Sequence, residues 1–278
     1  MNFVETIGVV IMSIGVGLSL VAALGLIRFP TTLARMHAAG KPASLGLAMT
    51  AFGAGLAADS IHLAVLGGAL AVFMFLTAPI SAHMLGRAAY RANQAPGLVH
   101  DDLGDIEVPV DAAPPPGDRS VSAWHLIPLV IIWVVLWRDA SIGVWIGGLL
   151  VALVVEVIRR TGKPNGTFRP GGMLVFLVRY VWMVIASNAR VTWEVITPGI
   201  QIREAIVAVP IRSGSLRVAQ LVANGITFTP GTLTVELTDD PLVVYVHCLH
   251  FDTVAALHED VAELERLVAA ALGEKMPA

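Results

Sequence analysis

The sequence predicts an α-helical integral membrane protein: a three-helix N-terminal bundle, a short helical hairpin followed by an amphipathic helix, and a small cytoplasmic α/β domain of β-α-β-β-α order at the C-terminus. Three observations predict it. Hydrophobic residues fill 56% of the 278 positions and charged ones only 14%, with a mean hydropathy of +0.75, a balance foreign to soluble domains. Apolar runs close to the roughly 20 residues needed to cross a hydrocarbon core recur in the first third. After about residue 200 the pattern turns to strand alternation and a charged amphipathic helix.

The N-terminal domain is expected over residues 1–92. Phe3 to Ile27 is apolar after Glu5, too long for the apolar part of a signal peptide and without a basic start, so it is read as a retained helix. Ala43 to Ala58 is short but free of charge, and Ile61 to Leu85 carries only histidines. Asp59 and Ser60 leave room for no more than a tight turn between them. Cytoplasmic loops are enriched in Lys and Arg. Arg28, Arg35 and Lys41 in the first loop, with Arg87 and Arg91 after the third helix, therefore put those ends inside and the N-terminus outside.

Residues 93–123 change character. Asp101, Asp102, Asp105, Glu107, Asp111 and Asp118 surround the Pro114-Pro115-Pro116 run, and such a composition reads as a semi-extended linker.

Residues 124–200 carry the second apolar part. Trp124 to Trp137 and Ser141 to Ile158 flank Arg138, Asp139 and Ala140, a helical hairpin with arms short for a span and tryptophans placed to anchor it. Gly143 and Gly147 would admit a close helix, although such pairs are common in glycine-rich membrane helices. Arg159, Arg160, Lys163 and Arg169 return the chain to the cytoplasm. From Gly171 to Thr197, helical periodicity collects Arg179, Ser187, Arg190 and Glu194 on one face. Charges are costly in a lipid-facing span, so this helix is expected to lie along the interface or to turn its charged stripe onto protein.

Residues 201–278 read as a soluble domain. Ala205 to Ile211 is a strand and Ser215 to Ala223 a helix. Thr232 to Thr238 and Leu242 to Leu249 form a hairpin across Asp239, Asp240 and Pro241, and Thr253 to Leu272 is a charged amphipathic helix.

Composition also excludes classes. A net charge of −3 offers no field for a nucleic acid, and one cysteine excludes a disulfide framework. Gly162 and Lys163 lack the leading glycine and the hydroxyl of a phosphate loop, and no G-x-S-x-G, H-E-x-x-H or C-x-x-C occurs. His247 and His250 flank Cys248, but alternation puts them on opposite faces, so they are read as ordinary polar residues and no metal or cofactor is expected. The chain is not read as an enzyme.

Polar residues in apolar helices mark candidate sites. Glu5, His62, His83 and Glu156 lie near helix ends, where an interfacial role is the simpler reading. Thr77 and Pro79 lie deeper. Pro79 removes a backbone donor and crowds the Phe75 carbonyl, which suits either a packing kink or, with Thr77, His83 and Glu156, part of a cation path. Thr229-Pro230-Gly231-Thr232 is read as a structural turn, with proline fixing φ and glycine supplying a positive φ. No lysine is expected inside a span.

Two sets of motifs then carry a resemblance. Arg28-Phe29-Pro30, Arg35-Met36-His37-Ala38-Ala39 with Lys41, Thr77-Ala78-Pro79-Ile80-Ser81-Ala82-His83 and Arg87-Ala88-Ala89-Tyr90 together resemble the G subunit of Mrp-type antiporters across residues 1–92. The short hairpin, Ser187-Asn188, the turn from Thr227 to Thr232 and Tyr245-Val246-His247 resemble the E subunit of the same antiporters across residues 124–273. Gly40, Pro42 and His250 depart from the family pattern, and the fusion itself is the largest departure. The resemblance implies an accessory subunit of a multisubunit antiporter that exchanges sodium or another monovalent cation for protons across the plasma membrane. Its partners would be the other subunits, which hold the proton-conducting machinery. The rival readings are a self-contained transporter or channel and a membrane scaffold that docks a regulator.

Overall fold

The computed structural model describes residues 2–93, 95–104, 123–137, 141–158, 170–197, 199, 202–229, 231–274 and 276. Three long helices come first, α1 (Phe3–Arg28), α2 (Thr32–Ala57) and α3 (Ile61–Arg91). Each begins where a side chain satisfies free amides: Asn2 closes a capping box with Glu5, Thr31 accepts from the Ala34 amide, and Ser60 accepts from Leu63. Helix α2 starts well before the expected Ala43. Arg35, His37 and Lys41, which the sequence pattern places in a loop, therefore lie on it. Lys41, expected in a loop, is a helical residue only 3% exposed.

Glycines set the contact between α1 and α2. Gly8 and Gly15 face Gly53 and Gly46, and a Cβ at Gly15 would lie 2.5 Å from the Thr50 amide nitrogen. The backbones approach as only small residues allow, which supplies the packing that lipid cannot. Helix α2 packs against α3 as well. The outward faces are apolar, with Val10, Ile14 and Leu20 on α1 and Val72, Phe73 and Met84 on α3 exposed. By length and composition, α1, α3 and Gly171–Ile196 could each cross a membrane.

The hairpin is a unit by itself, α4 (Ala123–Trp137) and α5 (Ile142–Ile158). Trp133 lies against Gly147 and Gly148, whereas Gly143 faces open space. Only one member of the expected glycine pair therefore meets a neighbour.

Helix α6 (Pro170–Ile196) leads into the sheet. Its strands are β1 (His100–Asp101), β2 (Ala205–Pro210), β3 (Thr232–Asp239) and β4 (Leu242–Cys248), with α7 (Leu216–Phe228) after β2 and α8 (Val254–Leu272) last. Their order is β1-β2-β4-β3, with β1 parallel to β2 and the other pairs antiparallel. The predicted β-α-β-β-α order is present with one strand added. That strand comes from the acidic stretch expected to be linker throughout. Val99 donates to the Glu204 carbonyl at 2.8 Å, Asp102 donates to Ile206 at 3.0 Å, and the Asp102 carboxylate accepts from the Ala208 amide at 2.8 Å. Composition predicts whether a segment can bury a core; it does not see two residues completing a sheet edge. Residues 105–122 lie outside the described residues.

Both faces of the sheet are covered. Val207, Val209, Val244 and Val246 pack against Val218, Val222 and Ile226 of α7 and Leu264 and Val268 of α8, joined by Phe176 and Met183 of α6. Full burial of a side chain such as Ile226 contributes about 1.5–3 kcal/mol. A bulge between Thr234 and Glu236 shifts the register of β3 against β4. Leu233 and Glu236 thus both face the N-terminal helices, and the plain alternation expected from Thr232 to Thr238 is broken there.

Helix α6 follows the α/β domain along its length. Gly172 lies against Ala270 of α8, Arg179 pairs with Glu263 at 2.5 Å, and the Tyr180 ring meets Phe228 at 5.5 Å. Farther on, Val191 and Val195 are buried against Phe29, Ala34 and Ala38. Its other side, including Leu174, Val178, Val181 and Ile185, is exposed and apolar.

Candidate functional site at the junction of the two halves

The site forms where the end of α1, the start of α2 and the last turns of α3 meet α6 and the sheet. The Arg28 guanidinium donates to the carbonyls of Val195 and Thr197, the latter at 3.3 Å, and so closes the C-terminal end of α6. Arg35 donates to the Phe29 carbonyl at 2.8 Å and fixes the turn into α2. On α3, Arg87 pairs with Glu236 at 2.6 Å. Burial raises the Glu236 carboxyl and the guanidinium beside it pulls it back.

Inside this frame runs a chain of buried polar groups. The Thr31 hydroxyl donates to the Glu204 carboxylate at 2.7 Å. Glu204 Oε2 lies 2.9 Å from His247 Nε2, and His247 Nδ1 lies 3.1 Å from His37 Nε2. Both imidazoles are sealed, His247 fully and His37 to 1% exposure. One helical turn on, the Lys41 ammonium donates to the carbonyl of Thr229 and, at 2.9 Å, to that of Thr232. Glu194 lies near by on α6, 3.5 Å from His250 and 3.9 Å from Arg190. A buried cation held by neutral carbonyls, beside two imidazoles and a carboxylate, is an arrangement that can hold or pass a proton.

The predicted residues fall into three groups. His83 reaches the junction, its Nε2 lying 3.1 Å from Thr227 Oγ1. Pro79 is buried inside α3, but the Thr77 hydroxyl donates to the Phe73 carbonyl at 2.8 Å and not to the Phe75 carbonyl that the proline crowds. Glu156 lies on α5 with its side chain outside the described residues, as does Pro230 in the turn. The rest of that turn stands beside Lys41: Gly231 has φ +70°, its carbonyl accepts from the Leu249 amide at 2.8 Å, and Thr229 and Thr232 present their carbonyls to the ammonium. Gly231→Val, placing a β-branched residue at a positive φ, is expected to lower the amount of assembled protein on a membrane immunoblot. Normal assembly with a changed ion preference would instead make the turn a ligand.

Sequence reasoning misses His37, Lys41, Glu204 and His247 as site residues. One signal points to the first two: His37, Lys41 and Ser44 recur at helical spacing within a run of alanines and glycines, a polar stripe on an otherwise small-residue face. Glu204 and His247 carry none, since their partners are 173 and 210 residues away along the chain.

The fold and the junction define a helical membrane protein whose α/β domain is held by buried charge against the ends of its helices. Residues 126–271 match the family described as Na+/H+ ion antiporter subunit, and residues 11–90 match a second family described as Na+/H+ antiporter subunit. The chain is 41% identical to the G subunit of the Na(+)/H(+) antiporter of Alkalihalophilus pseudofirmus over 93 residues, covering 33% of this chain and 78% of the relative. It is 37% identical to the G1 subunit of the Na(+)/H(+) antiporter of Staphylococcus haemolyticus over 99 residues, covering 34% and 81%. Against the E subunit of the Alkalihalophilus pseudofirmus antiporter it is 25% identical over 135 residues, covering 48% and 85%. The chain belongs to the Na+/H+ antiporter subunit families, joining a G-type and an E-type subunit in one polypeptide.

Proposed function

We propose that this chain is the fused G and E accessory component of a multisubunit, membrane-embedded antiporter that exchanges sodium for protons, and that it works with the other subunits of that complex. The observation that carries this reading is the junction: two parts that match separate subunits meet over a chain of buried, hydrogen-bonded polar groups. Co-purification tests it. A tagged chain drawn from native membranes should bring the remaining antiporter subunits with it, and recovery of the chain alone would sink the proposal.

The α/β domain is assigned to the cytoplasm and the N-terminus to the outside. The domain meets the N-terminal helices at the end that carries Arg28, Arg35 and Arg87, of which Arg87 pairs with Glu236, and the positive-inside rule keeps such basic ends in the cytoplasm. Helix α6 is assigned to the interface. One side packs on the α/β domain through Gly172, Phe176 and Met183 and on the N-terminal helices through Val191 and Val195, while Leu174, Val178, Val181 and Ile185 leave an apolar exposed stripe, which suits a helix lying flat with one face in lipid. Burial pushes the Cys248 thiol up to about 12, so the native cysteine is a poor nucleophile. A Glu259→Cys variant, exposed on α8, should therefore react with an impermeant maleimide in inside-out vesicles only; reaction in right-side-out vesicles would reverse the orientation.

Pro79 is assigned to assembly, as a kink that shapes α3 against its neighbours, since the Thr77 hydroxyl is already engaged by Phe73.

A further inference from the structure

Around one cavity at the junction, one buried atom has no hydrogen-bond partner and two further groups keep unused hydrogen-bonding capacity. With Glu204 as a carboxylate, His247 Nε2–H donates to it, and the other nitrogen of a neutral His247 must accept. His37 therefore donates through Nε2–H across the 3.1 Å contact, and its Nδ1 is left as an acceptor. That Nδ1 is a buried atom with no partner. Lys41 has three N–H donors, of which two serve Thr229 and Thr232; the third has no acceptor among the described residues. The Thr227 hydroxyl donates to the Ala223 carbonyl at 3.0 Å and accepts from His83 at 3.1 Å, which leaves one lone pair.

His37, Lys41 and Thr227 all line the same cavity of about 10 Å³, closed elsewhere by Met36, Ala82 and Phe228. That is about the least volume that admits one water, and a buried water needs two to four polar partners. The three unfilled positions are the partners one water would use: it accepts from Lys41 and donates to His37 Nδ1 and to Thr227 Oγ1.

We propose that one water molecule occupies this cavity and completes a proton relay between His83 and Glu204, crossing the seam between the G and E halves. A proton moves as follows. The water passes one to His37 Nδ1 and regains one from the Lys41 ammonium. His37 releases its Nε2 proton to His247 Nδ1, and His247 releases its own Nε2 proton to Glu204. The Lys41 ammonium has given up one proton, one sits on the Glu204 carboxyl, and His37 and His247 each carry their proton on Nδ1 in place of Nε2. The Lys41 amine is reloaded when His83 takes up a proton at Nδ1 and passes its Nε2 proton to Thr227 Oγ1, the Thr227 hydroxyl turns its own proton from the Ala223 carbonyl to the water, and the water hands one of its protons to the amine; Glu204 discharges past Thr31. The direction can reverse, since each step exchanges a donor for an acceptor.

The relay rests on the antiporter reading, and one set of vesicles separates the two. Everted membrane vesicles carrying the whole complex, in a strain without other sodium/proton antiporters, report sodium-driven proton movement through a pH-sensitive dye. His37→Gln and Glu204→Gln keep hydrogen bonds but cannot carry the proton. Each should assemble and show the wild-type sodium half-saturation, with a maximal rate lower by about tenfold or more. A wild-type rate in either assembled variant would overturn the relay while leaving the antiporter role intact. Wild-type vesicles that show no antiport would instead sink the antiporter reading. If neither variant assembles, the wild-type complex decides by cryo-electron microscopy at a resolution that shows waters. An ordered water within hydrogen-bond reach of His37 Nδ1, Lys41 Nζ and Thr227 Oγ1 supports the relay, and an empty cavity overturns it.

Discussion

Gly15→Ala should remove the protein from the membrane fraction, while Gly17→Ala, two residues along the same helix, should leave its level unchanged. The pair separates packing from propensity. Alanine is the better helix former by about 1 kcal/mol, so propensity alone would make both variants more stable. At Gly17 a Cβ meets nothing within 4 Å. At Gly15 it would sit 2.5 Å from the Thr50 amide nitrogen and 2.6 Å from the Gly46 carbonyl, contacts with backbone that cannot swing aside. Helices α1 and α2 must separate, and the penalty for overpacking of this kind is about 1–3 kcal/mol or more. The shift carries Ala38 and Phe29 away from Val191 and Val195, so α6 loses its seat as well. Membrane immunoblots and thermal aggregation midpoints in detergent read the result. Equal behaviour of the two variants would show that the close approach does not hold the helices together.

Phe228→Ala should release the α/β domain from the helices. Phe228 is 2% exposed, and its ring meets Phe75 of α3 and Tyr180 of α6, each at 5.5 Å, so one side chain fills the space between three helices. Truncating a buried phenylalanine costs about 3–5 kcal/mol, with aromatic pairing adding about 0.5–1.5 kcal/mol for each ring contact. The sensitive assay is a split protein. Residues 1–104 and 123–278 expressed as separate chains retain β1 and every contact of the junction, and they should co-purify and restore antiport with the partner subunits. Phe228→Ala in the second chain should abolish that co-purification. Failure of the unmutated halves to associate, with both stably inserted, would mean that residues 105–122 have a structural part.

Much of this architecture was legible along the chain. Apolar runs and the turn at Asp59 and Ser60 locate α1, α3 and the end of α2, because each depends on residues a few positions apart; the start of α2 at Thr32 reads as loop. The amphipathic pattern of α8 and the strand alternation of β4 are local in the same sense. The positive φ of Gly231 was also readable, since it is a property of the backbone itself.

The junction was decided only by tertiary structure. A histidine or lysine at the mouth of an apolar run reads as a loop residue, since burying it alone would cost several kcal/mol. What makes His37 and Lys41 tolerable inside α2 is a set of partners supplied by residues 188 to 210 positions later, Thr229, Thr232 and His247. The edge strand at His100–Asp101 and the bulge in β3 have the same origin, since each depends on a neighbour brought in by the fold. The sequence by itself determined most of the helix, strand and turn segments, through short-range geometry and hydropathy; the first turns of α2, the edge strand β1 and the pairing of buried polar groups across the seam required the three-dimensional structure, because contacts between distant residues leave no periodicity in the chain.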